Sequence, residues 1–388
     1  MYHVLDTSNM WVVAAAWMLL AALAAFIAIR VKMPAALIEI VLGMIAGNLI
    51  ALRTNAWIDF VAGFGSILLT FLAGAEIDPR VLRKQLVPST VLGAASFGAP
   101  FLAAMAFAYF FGHWSVGASK IAGIAMSTTS VAVVYAVMVE SGLAGKEFGQ
   151  LILAACFFTD LGTVVALGLL FANYNLGLVA LAGGIAACMA LGPRLLPRLI
   201  DETHKYVSEP ALRVLFGTIF ILAGLATYAK SEGVLPAYFL GLGCAGVMIS
   251  YPDLKRRLQT MTMTLLAPFY FLKAGTYIEL GAAVSSAGLI AALFFVKVIA
   301  KIVAVFPLAR FAFRYKSANA NYLTLMMATG LTFGTISSLY GLTHHFIDRV
   351  QYTALVTVVI LTAVVPTAIA QALLDPSAEP EEMEAEVP

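Results

Sequence analysis

The stretch AMSTTSVAVVYAV, residues 125–137, sets four consecutive hydroxyl side chains, Ser127, Thr128, Thr129 and Ser130, in the middle of otherwise apolar sequence. Such a cluster can satisfy backbone groups freed where a membrane helix unwinds, and it offers oxygens to a hard, partly dehydrated cation. A second stretch, MMATGLTFGTISSLYG at 326–341, has the same character, interrupted by Thr329, Gly330, Thr332, Gly334, Thr335, Ser337 and Ser338. Interrupted helices in corresponding positions of two halves point to inverted repeats. The two stretches fall in the fifth (117–139) and twelfth (319–342) apolar spans of the chain. A shift of seven spans is odd, so the second copy enters the membrane reversed. The unwound segments are then expected to cross near the midplane, where opposed helix dipoles meet.

Outward from these stretches, the composition is that of a membrane protein. The 388 residues are 62% hydrophobic and 11% charged, with a mean hydropathy of +0.94. That exceeds what a soluble core accommodates and excludes a water-soluble enzyme. No nucleophile, metal cluster or phosphate-binding glycine loop stands out, so an enzyme is not expected. A bilayer helix takes about 20 apolar residues, and thirteen such spans can be read, making an all-α polytopic membrane protein. With the N-terminus outside, sixteen of the 23 Lys and Arg residues fall in inside loops, the clusters Arg80, Arg83, Lys84 and Lys255, Arg256, Arg257 among them. Four (Arg53, Lys120, Lys230, Arg349) fall outside, and Lys273, Lys297 and Lys301 lie within spans. Cations favour cytoplasmic loops. The bias therefore supports thirteen spans in a cell inner (plasma) membrane, with the N-terminus outside and the C-terminus cytoplasmic. The opening MYHVLDTSNM has no basic region, so the first apolar run reads as a retained helix. The end, DPSAEPEEMEAEVP, carries six acids and no cation, and residues 374–388 read as an acidic disordered tail. Cys156, Cys188 and Cys244 lie in apolar runs without metal-ligand spacing, so neither a disulfide framework nor a resident cofactor is implied.

Ionisable residues inside a span are costly and mark candidate functional positions. Asp160, in ACFFTDLGTVVALG (155–168), is the deepest acid, near the centre of the sixth span. A carboxylate removed from water takes either a proton or a cation, which is the minimal apparatus for exchanging H+ against a metal ion. Thr159, Thr129 and Ser130 are the candidate oxygen ligands beside it. Lys297 and Lys301 lie four apart on one face of the eleventh span (284–309) and must find a carboxylate, carbonyls or water. Lys301 reads as a charge partner that competes with the ion for Asp160, while a structural role suits Lys297 equally well. Glu39 in the second span and Glu76 at the cytoplasmic end of the third are the other membrane acids; a solvated rim position accounts for Glu76. His344 and His345 read as incidental loop histidines.

Several segments then carry a family resemblance. Pro34, Glu39, Gly43 and Gly47 follow the pattern P-x4-E-x3-G-x3-G, and FGSILLTFLAGAEID (64–78) ends in Gly74 and Glu76. STTSVAVV (127–134) is followed by Thr159–Asp160, then by LAPFYFLKAG (266–275) and KIVAVFPLAR (301–310). In this order they resemble the monovalent cation:proton antiporter-2 superfamily, which includes Kef-type potassium/proton antiporters and bacterial sodium/proton antiporters. The resemblance implies the sodium/proton antiporter fold, two inverted repeats with crossed discontinuous helices, working as an elevator-type exchanger. Residues 10–79 and 211–280 would be scaffold and dimerisation helices, 87–172 and 284–373 a mobile ion-binding core, and 175–198 a linking helix, after a short external segment 1–9. It implies Na+ or K+ and H+ as substrates, membrane lipid around the protein, a homodimer, room for a separate cytoplasmic regulatory protein, and no nucleic acid.

Three departures refine that expectation. Thr159 stands where relatives carry Asp, Asn or Gln, which leaves one central carboxylate and implies electroneutral exchange. Thr329, Gly330 and Leu331 replace an Arg or Gly-Glu that would pair with Lys301. Cys156 stands where some relatives place a serine one turn before the Asp, and sulfur is a poor ligand for a hard cation. Kef-type proteins carry a nucleotide-binding domain after the membrane region, and none follows here, so control by such a domain is not expected. The alternative is a partner-gated potassium channel-like efflux subunit, against which stands the lack of a TVGYG-like filter; an organic-anion symporter on a related ten-helix fold is a third reading.

Overall fold

The computed structural model describes residues 9–31, 33–50, 52–75, 85–143, 146–171, 176–203, 209–229 and 233–373. Glu76, the first eight residues and the tail from 374 lie outside the described residues, and so do the expectations placed on them. All regular elements among the described residues are helical. In chain order they are α1 (Met10–Val31), α2 (Ala35–Leu49), α3 (Ala56–Ala75), α4 (Leu86–Phe110), α5 (Val116–Ser127), α6 (Val131–Glu140), α7 (Glu147–Leu170), α8 (Leu176–Thr203) and α9 (Pro210–Tyr228). There follow α10 (Val234–Ser250), α11 (Pro252–Met261), α12 (Ala267–Thr276), α13 (Leu280–Ser285), α14 (Ala287–Pro307), α15 (Ser317–Met327), α16 (Thr332–Thr343) and α17 (Arg349–Leu373). A π-helical turn, Thr262–Leu266, joins α11 to α12, and another, Leu308–Ala312, extends α14. Nine stretches among the described residues are long and apolar enough to cross a membrane, with α15 and α16 counted together, and α2 and α10 are shorter apolar helices.

Local chemistry explains several of the ends. Ser115 accepts a hydrogen bond from Ala118 N at 3.1 Å and caps α5. Asp348 and Gln351 bond reciprocally to each other's backbone N–H at the start of α17, a capping box. Proline opens α9 and α11, where its missing N–H costs nothing. Two helices outrun the apolar spans read from sequence. α8 continues to Thr203 through Pro193 and Pro197. The charged α11 is amphipathic, with Leu254 and Leu258 buried on one face, so a window for continuous apolarity passes over it.

The chain divides into two compact units. The first holds Met1–Arg80 and Val164–Thr276. Within it α2 lies along α12 and α3 along α10, at backbone separations only glycine permits. A Cβ on Gly241 would collide with the Phe71 carbonyl and sit 3.0 Å from Ala75 N; one on Gly275 would collide with the Ile40 carbonyl and sit 2.8 Å from Met44 N. Leu68, Phe71, Leu212, Leu215, Leu240 and Met248 fill the interior of this unit. Lys273, one of the cations read within a span, reaches Asp59 Oδ1 at 2.7 Å.

The second unit holds Val81–Thr163 and Tyr277–Pro388. Within it α4 packs on α5 and α14, α16 on α5 and α17, and α15 on α14 and α17. Its interior is built from Leu92, Val134, Leu151, Ile152, Val305 and Leu323.

Candidate ion-binding site

Both interrupted helices belong to the second unit, and their breaks meet there. The first break is short: α5 ends at Ser127, Thr128 turns extended (φ −65°, ψ 151°), and α6 begins at Val131. In the second, α15 ends at Met327 and α16 begins after Leu331 (φ −153°, ψ −78°). Ser130 N donates to Thr329 O at 3.3 Å, and Thr129 Oγ1 donates to Met327 O at 2.9 Å. Each break thus supplies partners to backbone groups that the other has released from its helix. The second interruption is narrower than its sequence suggests. Thr335, Ser337 and Ser338 lie inside α16 and bond back to the carbonyls of Leu331, Phe333 and Gly334 at 2.7–2.8 Å. Hydroxyls satisfied four residues back leave a helix intact, so only Ala328–Leu331 is unwound.

Glycine makes the crossing close. A Cβ on Gly334 would stand 2.7 Å from Val359 Cγ2, 3.1 Å from Thr128 Oγ1 and 3.2 Å from the Ala125 carbonyl. A Cβ on Gly330 would collide with Lys297 Nζ.

Two lysines of α14 enter this region fully buried, one turn apart. Lys301 Nζ donates to Ser96 Oγ at 2.7 Å, to Ser127 O at 2.9 Å and to Thr129 Oγ1 at 3.1 Å. An ammonium has three donors, and these contacts use all of them. Ser127 O is a carbonyl at the C-terminal end of α5, where a cation also complements the helix dipole. Lys297 Nζ donates to Thr362 Oγ1 at 3.2 Å, beside Gly330.

Asp160 lies on α7 with 2% of its surface exposed, close enough to Cys156 and Lys301 to act on both electrostatically. Thr159 Oγ1 donates to Cys156 O at 2.7 Å and Thr163 Oγ1 to Thr159 O at 2.9 Å, so their hydrogens are turned to the helix while lone pairs stay available to a cation. Ser130 Oγ accepts from Val133 N at 3.4 Å, at the first turn of α6. Thr129 is the hydroxyl that reaches farthest, touching both the second break and Lys301. The unit therefore gathers a carboxylate, an ammonium, several hydroxyls and the ends of four half-helices, all out of water. Such a set can hold one small cation or a proton.

The chain matches the family described as "Sodium/hydrogen exchanger, transmembrane" over residues 18–375. It belongs to that family. The exchanger-family chain is similar to the "probable Na(+)/H(+) antiporter 3" of Methanocaldococcus jannaschii, with 24% identity over 63% of this chain and 66% of the relative, just under two thirds of that protein's length. It is 27% identical to the "ammonium/H(+) antiporter subunit AmhT" of Alkalihalophilus pseudofirmus over 74% of this chain and 75% of that one. Among solved structures it resembles the sodium proton antiporter MjNhaP1 from Methanocaldococcus jannaschii at pH 8, with a TM-score of 0.71 and 16% identity, covering 93% of this chain and 96% of that chain. The chain therefore has the sodium/proton antiporter fold.

Of the residues singled out in the sequence, Asp160, Thr159, Thr129, Ser130, Cys156, Lys297 and Lys301 all belong to the second unit. Glu39 is buried on α2 of the first unit. His344 rests against Tyr340, ring centroids 4.2 Å apart, in the turn after α16. Sequence reasoning passed over Ser96 and Thr362, the hydroxyls that receive the two lysines. A trace of Ser96 was visible: Ser89 and Ser96 lie seven apart, and both are buried on α4. Thr362 sits in a long apolar run and carries no comparable mark.

Proposed function

We propose that this chain exchanges a monovalent cation, Na+ or K+, for H+ across a plasma membrane, with Asp160 taking the cation and the proton in turn. The observation that carries the reading is the meeting of two helix breaks in one unit with a buried carboxylate and a buried, fully hydrogen-bonded ammonium. Family membership supports exchange as the chemistry. Thr129, Ser130 and Thr159 are the proposed oxygen ligands beside Asp160. In this reading the second unit is the mobile core, the first the scaffold of a homodimer, and α8 the link between the halves of the fold. Alternating access of an elevator type would carry the site between the two sides. The chain crosses thirteen times, N-terminus outside, and follows the antiporter-2 pattern through Glu39, Gly43 and Gly47. With one central carboxylate, one proton is exchanged for one cation.

The test uses purified protein in liposomes loaded with a pH dye under an imposed proton gradient, with Na+, K+, Li+, ammonium or choline added separately. Dissipation by an alkali ion, lost in Asp160→Asn that still elutes as folded protein, is the expected result. Wild-type rates in Asp160→Asn would overturn the assignment of the carboxylate.

A further inference from the structure

The oxygen-rich site has a sulfur neighbour that exchange of alkali ions does not use. Cys156 Sγ donates to Met327 Sδ at 3.7 Å, and neither residue is exposed. The two sulfurs come from different helices, α7 and α15, and both helices are tied to the site. Cys156 lies one turn before Asp160, and the Met327 carbonyl accepts the hydroxyl of Thr129. Thiolate and thioether are soft ligands that favour soft cations such as Cu(I) and are indifferent to alkali ions. Among the described residues no group of three or more His, Cys, Asp or Glu converges to hold a metal ion, so a divalent cluster is not the chemistry on offer. Two sulfurs are enough for a soft monovalent ion that accepts two ligands.

We propose that Cys156 and Met327 form a binding site for a soft monovalent cation, silver or cuprous ion, beside the exchange site, and that its occupation blocks exchange. Access follows from charge: such an ion is monovalent, like the alkali ions proposed to reach Asp160, and enters by the same route. The step balances without redox change. The Cys156 S–H bond breaks and a metal–sulfur bond forms, the proton passes to the Asp160 carboxylate one turn on, and Met327 Sδ donates a lone pair as second ligand. The three freely rotating bonds of methionine let Sδ adjust to the ion. Once bridged, α7 and α15 are joined across the site, Asp160 holds the displaced proton, and Met327 can no longer shift with the second break. The blocking half of this proposal rests on the exchange reading; the binding half does not.

The experiment uses silver nitrate on the full-length protein with Cys188 and Cys244 replaced by alanine, since both thiols of the first unit would also take silver. Retained silver is counted after desalting, and exchange in liposomes is read for each variant as the ratio of rates with and without silver. The expected result is one silver ion per chain and exchange lost on its addition. Cys156→Ser should retain none and keep its silver-free rate in the presence of silver. Met327→Leu removes one of the two ligands and should weaken retention by about tenfold or more, at least the scale for losing an outer partner at a metal site. Silver retained equally by Cys156→Ser would overturn the proposal, as would exchange unaffected by silver in the parent. Exchange that is present with no silver retained refutes this site alone; silver retained with no exchange of any alkali ion refutes the exchange reading alone.

Discussion

Lys301 holds the first break open. Its ammonium takes the Ser127 carbonyl freed by the end of α5 and, with Thr129, fixes the extended segment in place. Replacement by methionine keeps the stem but leaves a buried carbonyl and the Ser96 and Thr129 hydroxyls short of a donor, at about 1–3 kcal/mol for each orphaned group that cannot relax. Lys301→Met should therefore unfold at a clearly lower temperature in detergent than the parent, and Ser96→Ala, which removes one acceptor of the three, should fall between them. Identical melting of all three would mean that the ammonium contributes nothing to the fold. Gly334→Ala sets a Cβ 2.7 Å from Val359 Cγ2 and 3.1 Å from Thr128 Oγ1; overpacking of this kind costs about 1–3 kcal/mol. The crossing should loosen, with exchange slowed more than melting is lowered, and an unchanged transport rate would count against the crossing as the site of action. At this scale the sequence was informative where cost is visible in one letter: an Asp or Lys inside lipid announces itself. Ser96 and Thr362 were not legible because a buried hydroxyl is cheap, common, and usually bonded to its own helix.

Among the elements, glycine decides how near two helices come. α3 and α10 touch backbone to backbone at Gly241, and α2 and α12 do so at Gly275. A methyl group at Gly241 meets the rigid Phe71 main chain, which has no rotamer by which to escape. Gly241→Ala should accordingly reduce the yield of folded protein, whereas Gly246→Ala on the same helix, with open space around its Cβ, should not; equal yields would show that the contact is not limiting. Apolar periodicity located most of the helices but passed over the amphipathic α11 and stopped α8 short of its last turns, which run through two prolines. It also overstated the second break. The residues from Thr332 to Ser338 look like an interruption on paper, yet three of their hydroxyls bond back to carbonyls within α16 and leave it helical.

For the whole molecule, the distribution of cations makes a topological prediction. Thr260, exposed on the basic α11, should face the cytoplasm, and Ser285, exposed at the end of α13, should face outside. Single cysteines placed at these positions, in a background without Cys188, should react with a membrane-impermeant maleimide from opposite sides of a sealed vesicle; reaction from one side only would mean a miscounted span. A lone central carboxylate also predicts that an imposed membrane potential leaves the rate of exchange nearly unchanged, and a steep dependence would refute the one-for-one stoichiometry. The linear order of the chain adds a constraint on how the protein is made. Ser127 and the lysine that secures its carbonyl are 174 residues apart, and Thr129 and its acceptor on the second break are 198 apart. At about 5–20 residues per second of synthesis, the first unwound segment waits roughly ten to forty seconds for its partners to leave the ribosome. During that interval it must be sheltered by the insertion machinery, and a message truncated before Lys301 should yield a nascent chain that quality-control proteases recognise and remove.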